Sequence, residues 1–232
     1  KQSTQLVEYD YMIIAKIVSG IVQIEKIEDY LDEISELFTE EDDGEIDDYS
    51  LEEDAGDNIP SEIKELCKYE KISNINKLLT TDIIFTHYDR QRQIALQYFL
   101  NIFACIIKNE IINRNVPEKL IMELSEIDKK NMSEELSKCN EACGILLELY
   151  DKGIDLFWKN KTSFFTLTVL FARNLEDVRR ISVDKIRQIL EEFQNSDKVE
   201  WEKYNEASRQ GVNDKKVREQ REQILSKLLF GK

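Results

Sequence analysis

The sequence predicts an all-α protein, a multi-helix globular domain built around one central apolar helix. Three observations predict this. Gly (7) and Pro (2) are scarce among the 232 residues, which removes the turn punctuation that sandwiches and barrels need. Ile, Leu, Glu and Lys dominate, a composition that favours helices. Finally, the stretch from Asp89 to Ile112, DRQRQIALQYFLNIFACIIKNEII, is apolar from Ile94 to Ile107 except at Gln97 and Asn101. A helix apolar on nearly all sides has to be wrapped by other helices, and an apolar fraction of 41% can supply that core at this length.

The chain divides into an N-terminal helix or helical hairpin over 1–38, an acidic flexible loop over 39–58, and a helical domain over 59–232. In the first part, apolar residues from Leu6 to Phe38 recur at steps of three or four. Gly20 either splits this run or weakens one long helix. From Ile24 to Phe38 the pattern approaches a coiled-coil seam, so Ile24, Leu31 and Phe38 are candidate partner contacts. The acidic loop holds eleven Asp/Glu and no base, which makes it a solvated segment. It does not fit a calcium loop. With Gly44 at the sixth position, Thr39 and Ser50 occupy the first and twelfth, where carboxylates are required.

The helical domain opens at Pro60 and Ser61 with a short helix. Residues 71–86 read as either helix or loop. The central helix starts near Asp89, where Arg90 and Arg92 oppose the helix dipole; they either pair with acids such as Asp89 or Asp82 or are held for a ligand. Pro117 begins a short helix, and a longer one runs from about Ser133 to Tyr150. Asp151-Lys152-Gly153 is a turn, followed by a short helix or turn through Trp158 and a buried helix from Thr162 to Arg173. Ser182 caps a helix through Phe193. Trp201 and Tyr204 lie in a helix ended by Gly211, and Asn213 or Asp214 caps the last one, with Val217, Ile224, Leu225 and Leu228 inward. The polar side of that helix and its approach carries Arg209, Lys215, Lys216, Arg218 and Arg221.

Charge is unevenly spread. Residues 1–57 hold 19 acids and 3 bases, whereas 58–232 hold 28 acids and 29 bases. In residues 203–232 eight bases face four acids. Four cysteines, Cys67, Cys105, Cys139 and Cys143, read as reduced thiols of a cytoplasmic protein. No signal peptide or membrane span is expected, since Lys108 and Glu110 interrupt the 94–112 run. Because the chain begins at Lys1, it is expected to be a piece of something longer.

Catalytic motifs are missing. There is no glycine-rich phosphate loop, nucleophile elbow or deaminase signature. His87 is the only histidine, and Cys139 with Cys143 falls short of a zinc site. No catalytic residue, metal or cofactor is assigned, and any nuclease or nucleotide-hydrolysing activity is expected in an upstream domain.

Three segments carry a resemblance. They are YNEASRQGVNDKKVREQREQILSKLL from Tyr204 to Leu229, RQRQIALQYFL from Arg90 to Leu100, and KTSFFTLTVLFARN from Lys161 to Asn174. Together they resemble the C-terminal helical region of modification-dependent restriction (GmrSD-like) proteins of bacterial phage defence, whose N-terminal half is a ParB/sulfiredoxin-like domain. The likeness covers roughly residues 85–232. The family's Asp-Gly-Gln-Gln-Arg and His-Asn-His-type motifs are absent from this chain. The resemblance therefore implies a non-catalytic helical domain that couples or positions a nucleotide- and DNA-sensing domain or partner chain. Under it, Arg209, Lys215, Lys216, Arg218 and Arg221 would touch DNA phosphates. Two alternatives come from the residues alone. One is an acidic DNA mimic or inhibitor acting through 39–58. The other is a helical interaction module that pairs or oligomerises through the N-terminal helix.

Overall fold

The computed structural model describes residues 73–92, 94–115, 120 and 129–232, and among these the chain is helical, without a strand. The helices are α1 (Ser73–Thr80), α2 (His87–Gln91), α3 (Ile94–Ile107), α4 (Lys129–Asp151), α5 (Lys161–Arg173), α6 (Leu175–Val178), α7 (Val183–Gln194), α8 (Val199–Ala207) and α9 (Lys215–Phe230). A single 3-10 turn, Leu156–Trp158, sits between α4 and α5. The all-α expectation holds. The N-terminal helix or hairpin with Ile24, Leu31 and Phe38, the acidic loop, the helix at Pro60 and most of the helix at Pro117 lie outside the described residues.

The expected helix from Asp89 to Ile112 is two helices and a strap. Thr86 opens α2 with a capping box: the Asp89 amide donates to its hydroxyl, and the Thr86 amide donates to the Asp89 carboxylate. The helix α3 stops at Ile107 because Asn109 turns left-handed (φ 50°). There the Glu110 amide donates to the Cys105 carbonyl and the Asn109 amide to that of Ile106, a closure that uses up two terminal carbonyls. Residues 111–115 then run as an irregular strap. Gly153 ends α4 with the same pair of bonds and a φ of 77°, which fits the turn expected there.

The helix on which the others rest is α5. Ten consecutive residues, from Ser163 to Ala172, are buried. It packs against α3, α4, α6 and α9, while α3 and α4 also touch each other. Such a helix must satisfy its polar side chains internally. Thr166 and Thr168 do so by donating to the carbonyls of Thr162 and Phe164, and the Asn160 side chain caps the N-terminus by accepting from the Ser163 amide.

Two buried asparagines, polar residues inside otherwise apolar faces, tie segments distant in sequence. Asn101, in the middle of α3, accepts from the Asn115 amide and donates to the Asn115 carbonyl, so it holds the strap. Asn140, on α4, accepts from the amides of Asn74 and Ile75 and thereby caps α1. The two helices meet closely here: a Cβ at Gly144 would lie 2.7 Å from the Asn74 side-chain nitrogen.

Ser182 caps α7 by accepting from the Lys185 amide, and Ile186, Leu190 and Phe193 face inward. The helix α8 closes at Ala207, so Gly211 (φ 58°) belongs to the following turn rather than to the helix end. Phe157, Trp158, Phe193, Trp201 and Tyr204 form one aromatic cluster, with Phe157 and Trp201 centroids 4.9 Å apart. These rings are core.

Leu167 is fully buried at the centre of α5. Leu167→Ala is expected to lower the unfolding free energy by about 2–5 kcal/mol in urea titration, while Lys185→Ala on the exposed side of α7 changes it by less than about 0.5.

Candidate nucleic-acid interface

The five bases singled out near the C-terminus do not share one face. Arg209 and Lys216 are exposed, and Lys215 is partly so. Arg218 and Arg221 are 3% and 1% exposed and point into the protein. They leave the solvent-facing set, and the reason is geometric. The buried positions of α9 are Arg218, Arg221, Leu225 and Leu229, spaced as one helical face. The inward stripe expected from apolar residues alone is rotated: Val217, Ile224 and Leu228 are only partly buried at its flank.

Both arginines are spent on backbone. Arg221 donates to the Thr166 hydroxyl on α5, to the Ala207 carbonyl that ends α8, and to the Val212 carbonyl in the next turn. Arg218 donates to the Ile112 carbonyl of the strap and lies over the Phe165 ring, 4.1 Å from its centroid. Neither makes an ion pair with a described carboxylate. Burial pulls the Arg218 pKa down to about 10, and Arg221 and Arg114 push the same way; Arg221 is lowered by burial too. Both guanidiniums remain charged at neutral pH.

The strap is gripped along its length. Arg173 donates to the side chain and carbonyl of Asn109, Lys215 lies 3.4 Å from Glu110, and the Arg114 amide donates to the Asn213 carbonyl. The α9 N-cap is Asp214, but its side chain makes no capping bond. The Asn113 side chain, 102 residues earlier, accepts from the Lys215 amide instead.

The two acids of α9 are also in ion pairs. Glu219 lies 3.9 Å from Lys215, and Glu222 lies 2.7 Å from Arg173. Burial raises the Glu222 pKa, against the pull of Arg173. These groups border a polar cleft of about 360 Å³ lined by Asn109, Arg173, Asn174, Glu222, Gln223, Ser226 and Lys232. Sequence reasoning gave no sign of this cleft, because its residues come from three distant segments.

The remaining candidates resolve into structure. Arg90 is buried and pairs with Asp82 at 2.8 Å while donating to the Phe85 carbonyl. Arg92 lies over the Tyr88 ring at 5.3 Å. Asp89 pairs with Lys161 of α5. Burial opposes the Asp89 charge, but Lys161 and the Thr86 amide and hydroxyl outweigh it, so its pKa falls below the ordinary aspartate value. Cys105, Cys139 and Cys143 are buried and reduced. The Cys139 thiol and burial together push Cys143 up, so the Cys143 thiol is not poised as a nucleophile. Among the described residues no group of three His, Cys, Asp or Glu could hold a metal, and no helix is long and apolar enough to cross a membrane.

No protein-family model matches this chain, and neither does any curated protein or solved structure.

Two outcomes follow for stability. Arg221→Ala strips donors from two buried acceptors and one half-buried one and is expected to cost about 3 kcal/mol in urea unfolding; Arg221→Lys, with one ammonium for three acceptors, is expected to recover only part of it. For Asp89, whose pKa is depressed on folding, the stabilisation is present above the unfolded value of about 3.9 and is lost as pH falls through the folded one. The stability gap between wild type and Asp89→Asn is therefore expected to hold steady from pH 7 to about 5 and to shrink below about 4. A gap that widens on acidification would contradict this.

Proposed function

We propose that this chain is the non-catalytic helical domain of a bacterial DNA-targeting defence protein, coupling or positioning a nucleotide- and DNA-sensing domain. One observation supports the reading above the others. The first and third of the segments that resemble the restriction family, Arg90–Leu100 and Tyr204–Leu229, each pack against the second, Lys161–Asn174. Lys161 pairs with Asp89 at the start of the first segment, and Tyr98 within it packs edge-on against Phe85, which meets Phe164 at 5.6 Å. Arg221, Arg218 and Glu222 of the third segment engage Thr166, Phe165 and Arg173 of the second. A likeness carried chiefly by these segments is what a shared core would leave, because residues that pack together constrain one another.

In this reading Arg218 and Arg221 are positioning residues that set the C-terminal helix on the core. Exposed Arg209 and Lys216, with Lys215 beside them, are the members of the original set that remain available to phosphates.

The test is a plating assay. Cells carrying the gene in its native locus are challenged with phages whose DNA bases are modified and with matched phages whose bases are not. Plating is expected to fall for the modified phages alone, and to recover when residues 161–232 are deleted from the gene. Equal plating of both phage types would reject the proposal.

A further inference from the structure

The last helix sorts its charges by face. Its acids, Glu219 and Glu222, are held by Lys215 and Arg173. Its arginines, Arg218 and Arg221, face inward. The exposed positions that remain include Lys216, Gln220, Gln223 and Lys227. They fall at i, i+4, i+7 and i+11, a single row about 16 Å long at the helical rise of 1.5 Å per residue. The row presents two ammoniums and two carboxamides and no carboxylate. Its Lys216 end is also the helix N-terminus, the positive end of the dipole.

From this arrangement we propose that the outward row Lys216–Gln220–Gln223–Lys227 of α9 is a docking face for a nucleic-acid phosphodiester backbone. The proposal deepens the DNA-targeting reading and rests on it, but names a surface that can fail separately. Charge complementarity selects the occupant. Lysines neutralise phosphates as point charges, and glutamine N–H groups donate to phosphate oxygens between them, contacts that fix register without reading bases. The face holds no aromatic side chain on which a base could stack, so it fits a backbone rather than splayed single-strand bases. A second copy of this face is disfavoured, since two rows of ammoniums would repel.

The experiment is fluorescence anisotropy with the full chain and a labelled 20-base-pair duplex of arbitrary sequence, titrated across salt. Lys216→Gln/Lys227→Gln is compared with Lys198→Gln/Lys203→Gln at the N-cap and on the exposed side of α8, which removes the same charge elsewhere. The row variant is expected to bind about tenfold more weakly at low salt, with a salt slope smaller by about 2, one per lost phosphate contact. The α8 variant should match wild type, and circular dichroism melts should agree for all three. Four results would overturn the proposal: no wild-type binding at the lowest salt, wild-type binding by the row variant, equal loss in the α8 variant, or displacement by polyglutamate as effective per charge as by unlabelled duplex. The last would make an acidic protein segment the occupant. Binding that survives in the row variant would sink this face while leaving the plating assay to judge the DNA-targeting reading.

Discussion

The structure depends on two guanidiniums buried without a carboxylate partner among the described residues. Removing a charge from water is costly, and the usual remedy is an opposite charge. Arg218 and Arg221 instead find backbone carbonyls and a hydroxyl, and for Arg218 the face of Phe165. Guanidinium suits this role because its donors are spread in a fixed plane and can reach several acceptors at once. Each acceptor would otherwise be an unsatisfied carbonyl at the end of an element: Ala207 closes α8, Val212 lies in the turn, and Ile112 lies in the strap. The arginines replace the regular hydrogen bonding that these irregular segments lack.

This explains how a chain with so many connections forms one core. The helix α5 contributes an almost wholly buried surface, and the helices on it are held at their ends by polar contacts. Lys161 and Asp89 fix one end, and Arg173, Asn109 and Glu222 fix the other. Apolar packing supplies the drive, while these polar contacts select one arrangement of helices among several that would bury similar area.

Much of the fold was legible from the sequence. The buried run from Thr162 to Arg173, the Ser182 cap and the turn at Gly153 follow from periodicity and from residues with special backbone preferences, and all are found where expected. The break within Asp89–Ile112 was less visible, because Lys108 and Glu110 interrupt the apolar run but polar residues alone do not end a helix, and it is Asn109 that turns left-handed. The inward face of α9 was misplaced because an apolar stripe was sought and two of its four deepest members are arginines. Hydrophobic periodicity does not register a buried cation whose partners are carbonyls of other segments. The Arg90 pairing with Asp82 was among the stated alternatives, and only three-dimensional proximity could choose it. The polar cleft and the outward row of α9 were hidden for the same reason, since which acids are withdrawn into ion pairs depends on neighbours far along the chain.

The cap that Asn113 provides to the first amide of α9 bears on how the protein is made. A helix start is ordinarily completed by the residue just before it. Here the capping side chain leaves the ribosome 102 residues ahead of the amide it receives. Until Lys215 and Arg218 follow, Glu110 and Ile112 lack two of the contacts that hold the strap, which Asn101 and Arg173 already grip at its ends. The helices synthesised earlier can associate, and the ends of the strap with them, but its middle waits for the last helix. Docking of the strap is thus completed by the last helix, and ribosome stalling before Lys215 would leave its middle unheld on an otherwise assembled core.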